Sequence, residues 1–383
     1  MDQAHQDIAG AAATAMPALG ADETQITCSR TFASWLAQHR VGLAFSSYQS
    51  GQLFLVGQFG NENLSFRQRN FVRAMGLHQR GDELYLASLN QIWRFANVLG
   101  PDERANQNFD RLYVPRTAHV TGDVDAHEVA VEASGRIVFV NTRFSCLATV
   151  SRTHSFKPVW KPKFISRLAA EDRCHLNGLA LEDGRVRYVT AVAGTDVVDG
   201  WREHRVGGGL LIRVDDHEVI ARGFSMPHSP RLHGGRLWVL DSARGYLVRI
   251  DPATGEKEDV AFCPGFLRGL SFHAGHAVVT LSLPRHLSFT ALPIEEEIAR
   301  RGGSPWCGVQ IINLSSGDVV EWIRLDGAIR ELFDVTILPG ALCPMAAPAS
   351  GADLSSLLTI EAPDAPLNAP GNHSSTPAEN AIR

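Results

Sequence analysis

Four glycines divide the middle of this chain at near-equal intervals. Gly135, Gly184, Gly235 and Gly275 stand 49, 51 and 40 residues apart. Each lies between a short apolar run and a run rich in Val, Ile, Tyr, Trp and Leu. Five segments stack on this pattern: AMGLHQRGDELYLAS, HEVAVEASGRIVFVN, LNGLALEDGRVRYVT, PHSPRLHGGRLWVLD and LRGLSFHAGHAVVTLS. Each reads as a β-hairpin, with Gly or Asp supplying the tight turn. A third strand often follows, as in YLVRIDPATGEKEDVAF, whose D-P-A-T-G-E turn leads into a fourth. Units of about 40 to 50 residues with three or four strands are the blades of a β-propeller. A β-sandwich, the rival all-β fold, does not need equal spacing.

Two weaker units, VGLAFSSYQSGQLFLVG and VVEWIRLDGAIRELFDVTILPG, bring the expected total to six blades, with seven as the alternative. LPIEEEIARRG reads as a helical insertion. Length alone, 383 residues, suggests two or three domains,. A closed propeller reduces that to one all-β domain over residues 26–345. Residues 1–25 read as a flexible arm, because acidic residues replace the basic start of a signal peptide and Pro17 and Gly20 break the Ala run,. Residues 346–383, rich in Ala, Pro and Ser, read as a disordered tail,.

Composition narrows the partners. Lys plus Arg is 36 against 41 Asp plus Glu, a formal net charge of −5. A nucleic-acid surface needs clustered positive charge, and a membrane surface needs a polybasic run. Neither partner is expected, and no apolar run reaches the about 20 residues that span a bilayer. Six scattered cysteines without a C-x-x-C pair argue against disulfides and point to a reducing cytoplasm,. The expected partner is a small-molecule or peptide ligand.

The repeat also locates the chemistry. Seven residues before the turn glycines stand Glu128, Asn177, His228 and Arg268, with Met75 matching in the earlier unit. Thirteen residues further on come Asn141, Thr190, Asp241, Leu281 and Ser88. A hairpin returns to its starting end, so both sets belong at one mouth of the axis. Three chemistries fit. Glu128, Asn177, Asn141 and Asp241 offer oxygen to calcium. His127, His175 and His228 offer imidazole to zinc or iron from three consecutive blades, at the cost of a one-residue stagger. Without a metal, Glu128 or His228 serves as general acid or base, and Asp241 orients His228. Asn177, Asn141, His175 and Arg268 then face substrate.

Plainer roles compete. A histidine at a strand start is more often a hydrogen-bonded structural residue. Arg268 reads equally as a salt bridge to Asp241 or Glu128 across the channel. Asp241 in V-L-D-S reads as a turn cap. Asp123 and Asp125 read as a solvated acidic loop, and Lys157, Lys161 and Lys163 as a solvated crossover. Cys174 beside His175 has no base partner that the pattern can place. Gly207, Gly208 and Gly209 precede a strand rather than a helix and so make no phosphate cradle.

DVDAHEVA, VNTRFSCLATV, FISRLAAEDRCHLNGLA, SMPHSPRLHGGRLWVLDS, PGFLRGLSF and FDVTILPG resemble a family of bacterial proteins known only as a domain of unknown function. The resemblance runs from Phe32 to Pro344 and implies no activity. More distantly, H-L-N-G-L-A before a strand looks like the blades of gluconolactonase, strictosidine synthase and related six-bladed propellers. That likeness implies a divalent metal or substrate at the mouth, carried by Glu128, Asn177 and Asp241, and a metal-dependent hydrolase of the lactonase kind. His228 and Arg268 depart from the oxygen-ligand pattern and favour a mixed nitrogen and oxygen site or an anion site. A propeller that binds a ligand or protein without catalysis is the other reading.

Overall fold

In a computed structural model, which describes residues 23–60, 63–285 and 288–361, the turn glycines have the backbone a tight hairpin demands. Gly135, Gly184, Gly235 and Gly275 take φ of +84°, +72°, +71° and +78°. Only glycine adopts this left-handed region without strain. Each turn joins the first two strands of a blade, and six four-stranded antiparallel units result.

Blade 2 comprises Leu77–Arg80, Glu83–Ala87, Gln91–Asn97 and Arg111–Val120. Blade 3 comprises Ala126–Val131, Ile137–Asn141, Cys146–Thr149 and Lys157–Trp160. Blade 4 holds Leu176–Glu182, Arg185–Ala191, Gly209–Arg213 and Val219–Phe224. Blade 5 holds Pro227–His233, Arg236–Asp241, Tyr246–Ile250 and Lys257–Phe262. Blade 6 holds Phe266–His273, His276–Ser282, Cys307–Asn313 and Val319–Gly327. Blade 1 is assembled from both ends of the chain. Its inner strand, Val335–Pro339, pairs with Val41–Ser47, which continues into Gln52–Phe59 and Asn63–Asn70. The first strands of successive blades touch in order and close the ring.

The arrangement is the expected six-bladed propeller, and the seven-bladed alternative is excluded. Apolar alternation on each strand fills the seams between blades rather than one central core. Leu53, Leu55 and Leu84 pack between blades 1 and 2. Val138, Leu179 and Val189 pack between blades 3 and 4. Leu240, Leu270 and Val279 do the same between blades 5 and 6. The axis is therefore left to polar groups.

Around the axis, odd and even blades differ. In blades 1, 3 and 5 a polar side chain reaches the backbone of the next blade. Asp334 accepts from the Leu77 N–H at 2.7 Å, Glu128 from the Leu179 N–H at 2.6 Å, and Ser229 donates to the Arg268 carbonyl at 2.6 Å. Blades 2, 4 and 6 answer with Gly76, Gly178 and Gly269. A Cβ on Gly76 lies 2.7 Å from Glu128 Cα, and one on Gly269 lies 2.6 Å from Val335 N. At Gly178 it runs into Pro230. No side chain fits at these three glycine positions.

The expected helical insertion forms Pro293–Arg300, whose Ile294 and Ile298 pack on Ala243, Phe266 and Phe289. A helix at Phe32–His39 is additional. Order also extends past both expected boundaries. Thr24–Cys28 adds an outer strand to blade 6 by pairing with Val319–Gly327. Pro344–Ala346 runs parallel to Arg111–Tyr113 on blade 2, and Leu354 and Leu357 cover Leu112. These few apolar residues order the start of the tail, because blade 2 offers an unpaired edge. The rest of the expected arm and tail, residues 1–22 and 362–383, lies outside the described residues.

Gly76→Ala and Gly269→Ala each lower stability by about 1–3 kcal/mol through overpacking. Urea denaturation followed by circular dichroism measures this; no loss at either site removes the close-approach account.

Candidate functional site

Three imidazoles meet at the end of the axis where the inner strands begin. His127 opens blade 3, His175 precedes blade 4, and His228 opens blade 5. The His127 ring centroid lies 4.8 Å from that of His175 and 6.3 Å from that of His228. Each ring is held through Nδ1. His127 Nδ1 lies 3.0 Å from the Asp125 carbonyl and 2.8 Å from Thr142 Oγ1. His228 repeats this with the Met226 carbonyl at 3.0 Å and Ser242 Oγ at 2.9 Å. His175 Nδ1 lies 2.8 Å from Asp172 Oδ2. A carbonyl or carboxylate acceptor fixes the proton on Nδ1 and leaves Nε2 with its lone pair free. His228 Nε2 is buried without a partner.

Burial lowers the His127 imidazole to about 4. Burial, reinforced by the Arg268 charge, holds His228 well below the ordinary histidine range. Both rings are neutral at pH 7. Among the described residues, no group of three or more His, Cys, Asp or Glu side chains is arranged closely enough to share a metal ion.

The structural register matches His127 with His228, rather than Glu128 with His228 as the turn spacing predicts. Bulges shift the pairing between Phe139 and Asn141 in blade 3 and between His228 and Arg231 in blade 5. Distance from the turn glycine is therefore not constant. Glu128 points along the axis to Arg231, with which it forms an ion pair. The expected Asp241–His228 hydrogen bond is replaced by Ser242. Asp241 instead accepts from the Ser225 N–H at 2.7 Å and pairs with Arg244 at 3.1 Å. Asn177 joins two blades, donating to the Pro227 carbonyl at 2.8 Å and accepting from Thr190 Oγ1 at 2.9 Å. Asn141 accepts from the Phe144 N–H at 3.1 Å and keeps a buried, unpaired Nδ2. The four oxygen donors of the calcium reading are each engaged at their own seam or turn. Cys174 is fully buried, and burial pushes its thiol up to about 12, which rules out a thiolate nucleophile at neutral pH,.

Arg268 does not pair with Asp241 or Glu128. Its guanidinium lies over the rings of Phe266, Tyr48 and Phe333 at 5.0, 5.2 and 5.2 Å. Its nearest carboxylate is Glu331 at 3.9 Å, beyond hydrogen-bond reach, and its Nε is buried without a partner. Arg268 lines a cavity of about 580 Å³ at the mouth of blades 4 to 6. Trp201 and Phe266 form part of its wall and separate it from the histidines, with Trp201 stacked on His175 at 4.1 Å and Phe266 edge-on to His228 at 5.7 Å. Trp201 comes from the short helix Gly200–His204, in a long excursion of blade 4. Its sequence, VAGTDVVDGWREHRVGG, breaks the hairpin pattern, and that break was the available signal.

Arg231 is the residue that sequence spacing most completely misses. It stands on the axis and donates to the Leu270 carbonyl at 3.0 Å and the Leu179 carbonyl at 3.2 Å. Its ion pairs run to Glu128 and, at 3.8 Å, to Asp334. Burial pushes the Glu128 carboxyl up to about 7 and that of Asp334 up to about 6, and Arg231 opposes both shifts. A second cavity of about 350 Å³ opens at the turn end, lined by His78, Glu128 and Arg231. It shares no wall residue with the mouth cavity.

Removing one partner from a buried ionic group strands the others. Arg231→Ala lowers stability by about 3–5 kcal/mol, whereas replacing Arg231, Glu128 and Asp334 together by Met, Gln and Asn recovers most of it. Chemical denaturation of the two variants decides this, and equal losses in both would contradict the pin.

A solved nidogen/laminin complex contains a chain similar to this one at 10% identity, with a TM-score of 0.50. The match covers 79% of this chain and 99% of that one, and it shows the propeller fold alone. A catalytically inactive virginiamycin B lyase from Staphylococcus aureus with quinupristin matches at 9% identity and a TM-score of 0.39, over 79% of this chain and 99% of that one. No curated protein matches the chain. Residues 30–347 match the family model described as Domain of unknown function (DUF4915), and the chain belongs to that family.

Proposed function

We propose that this propeller is a small-molecule enzyme, hydrolytic in class, whose ligand enters the mouth of blades 4 to 6. His127, His175 and His228 are the residues that would hold a divalent transition metal, and they would have to close up to share it, because as described they do not stand close enough to do so. The observation that carries the reading is the shared tether. Three rings from three neighbouring blades are pinned through Nδ1, and His228 Nε2 is left buried and unpaired. Burying an acceptor without a partner costs about 1–3 kcal/mol, which a ligand to Nε2 offsets. Neutral imidazole with an oxygen acceptor behind it suits zinc or ferrous iron, and a bound ion of this kind supplies Lewis-acid activation. To share one ion the His127 and His228 rings, 6.3 Å apart, would have to move together. Calcium is disfavoured because its oxygen donors are engaged elsewhere.

The second reading is a binder without catalysis. It is favoured by Trp201 and Phe266, which stand between the imidazoles and the cavity. The free cysteines fit a cytoplasmic setting in either case,. No helix among the described residues is long and apolar enough to cross a membrane.

Calorimetric titration of chelator-treated protein with zinc and with ferrous iron separates the two. One ion per chain is expected, lost in His127→Ala and in His228→Ala. Absence of binding, or binding by both variants equal to that of the unaltered protein, leaves the non-catalytic reading in place.

A further inference from the structure

We infer that the mouth cavity takes a small organic monocarboxylate, anchored head-on by Arg268 with its apolar body against the cavity wall. The inference deepens the small-molecule half of the function proposed above and does not depend on the metal.

Arg268 is 9% exposed, yet no hydrogen bond is found for its guanidinium among the described residues. A buried cation normally has hydrogen-bonded partners, because loss of hydration is expensive. Burial holds its pKa below the ordinary arginine range, the sign of a desolvated and under-paired charge. Three aromatic rings cover the guanidinium at 5.0 to 5.2 Å. Aromatic contacts compensate a cation through its faces and leave the in-plane N–H groups unsatisfied. Those N–H groups form a planar fork, which matches the two oxygens of a carboxylate.

The neighbouring charges agree. Among the described residues that line the cavity, Glu331 is the one carboxylate, against Arg202, Arg205, Arg268 and Arg285. Glu331 is already committed, because it accepts from Arg285 Nε at 3.0 Å and from the Tyr48 hydroxyl. The cavity thus carries an excess of positive charge in a protein whose formal net charge is −5. Part of the lining is apolar. Trp201, Met226, Phe289 and Leu292 form it, and the cavity volume of about 580 Å³ suits an organic molecule with a charged head, not a bare ion,. A bare inorganic anion leaves the apolar lining uncovered, and a neutral ligand leaves the Arg268 guanidinium with only its long 3.9 Å ion pair to Glu331.

Calorimetric titration of the full chain in chelator tests this with 3-phenylpropionate, its neutral isostere 3-phenylpropionamide, and 2-phenylethyl phosphate. Saturable binding of the carboxylate is expected, with the amide weaker by about tenfold or more and Arg268→Gln reducing carboxylate affinity by a similar factor. Arg268→Lys keeps the charge, loses the fork and falls between the two. Near-ultraviolet circular dichroism verifies that the variants are folded, and the acid-to-amide ratio in the unaltered protein stands without them. Equal affinity for acid and amide, unchanged affinity in Arg268→Gln, or no saturable binding of any probe overturns the inference. Tighter binding of the phosphate overturns the carboxylate assignment. Because no metal is present in this titration, carboxylate binding survives a failed metal titration. Metal uptake without carboxylate binding removes only the ligand assignment.

Discussion

One guanidinium on the propeller axis fixes how the inner strands converge. Six sheets packed side by side leave a central channel between their inner strands. Arg231 of blade 5 occupies it, holding carbonyls of blades 4 and 6 and carboxylates of blades 3 and 1. A single charged group therefore reads the positions of five blades at once. The carboxylates are spent on this task and on backbone N–H groups of the following blades. What remains for chemistry lies above the pin, where the histidines and Arg268 stand.

Alternation around the axis explains why side chains of such different kinds occupy equivalent places. Odd blades send out Glu128, Ser229 and Asp334, and even blades supply Gly76, Gly178 and Gly269 to receive the approach. The ring behaves as three pairs of blades. The same odd positions carry His127, His228 and Phe333 one residue earlier. The imidazoles of blades 3 and 5 thereby share one tether geometry, and Phe333 takes the third place, 5.3 Å from His127.

Much of this was legible in the sequence. Turn glycines at intervals of 49, 51 and 40 residues mark the inner hairpins, since a tight turn demands positive φ wherever it occurs,. Blade 1 was weaker because its strands come from opposite ends of the chain. The spacing places the histidines, Asn177 and Arg268 toward one end of the axis. It does not give their pairing, because a β-bulge changes the count from turn to mouth by one residue and leaves no compositional mark. Arg231 was invisible for another reason. An arginine beside a turn reads as solvated, and only the closed ring reveals that its head group faces inward. Trp201 lies in an excursion without periodicity, so its return to the mouth is a tertiary fact.

Ring closure through Val335–Pro339 carries a consequence for biosynthesis. Val41 pairs with Pro339, so the strand beginning at Val41 waits for its inner neighbour until all the other blades have been synthesised. Until then blade 1 presents a bare hydrogen-bonding edge, and the last seam, with Phe45, Val278 and Ile337, stays open to solvent. Bare edges recruit other strands, and contacts this distant in sequence form slowly. The nascent chain thus stays open to misassembly at this edge until Val335–Pro339 is synthesised.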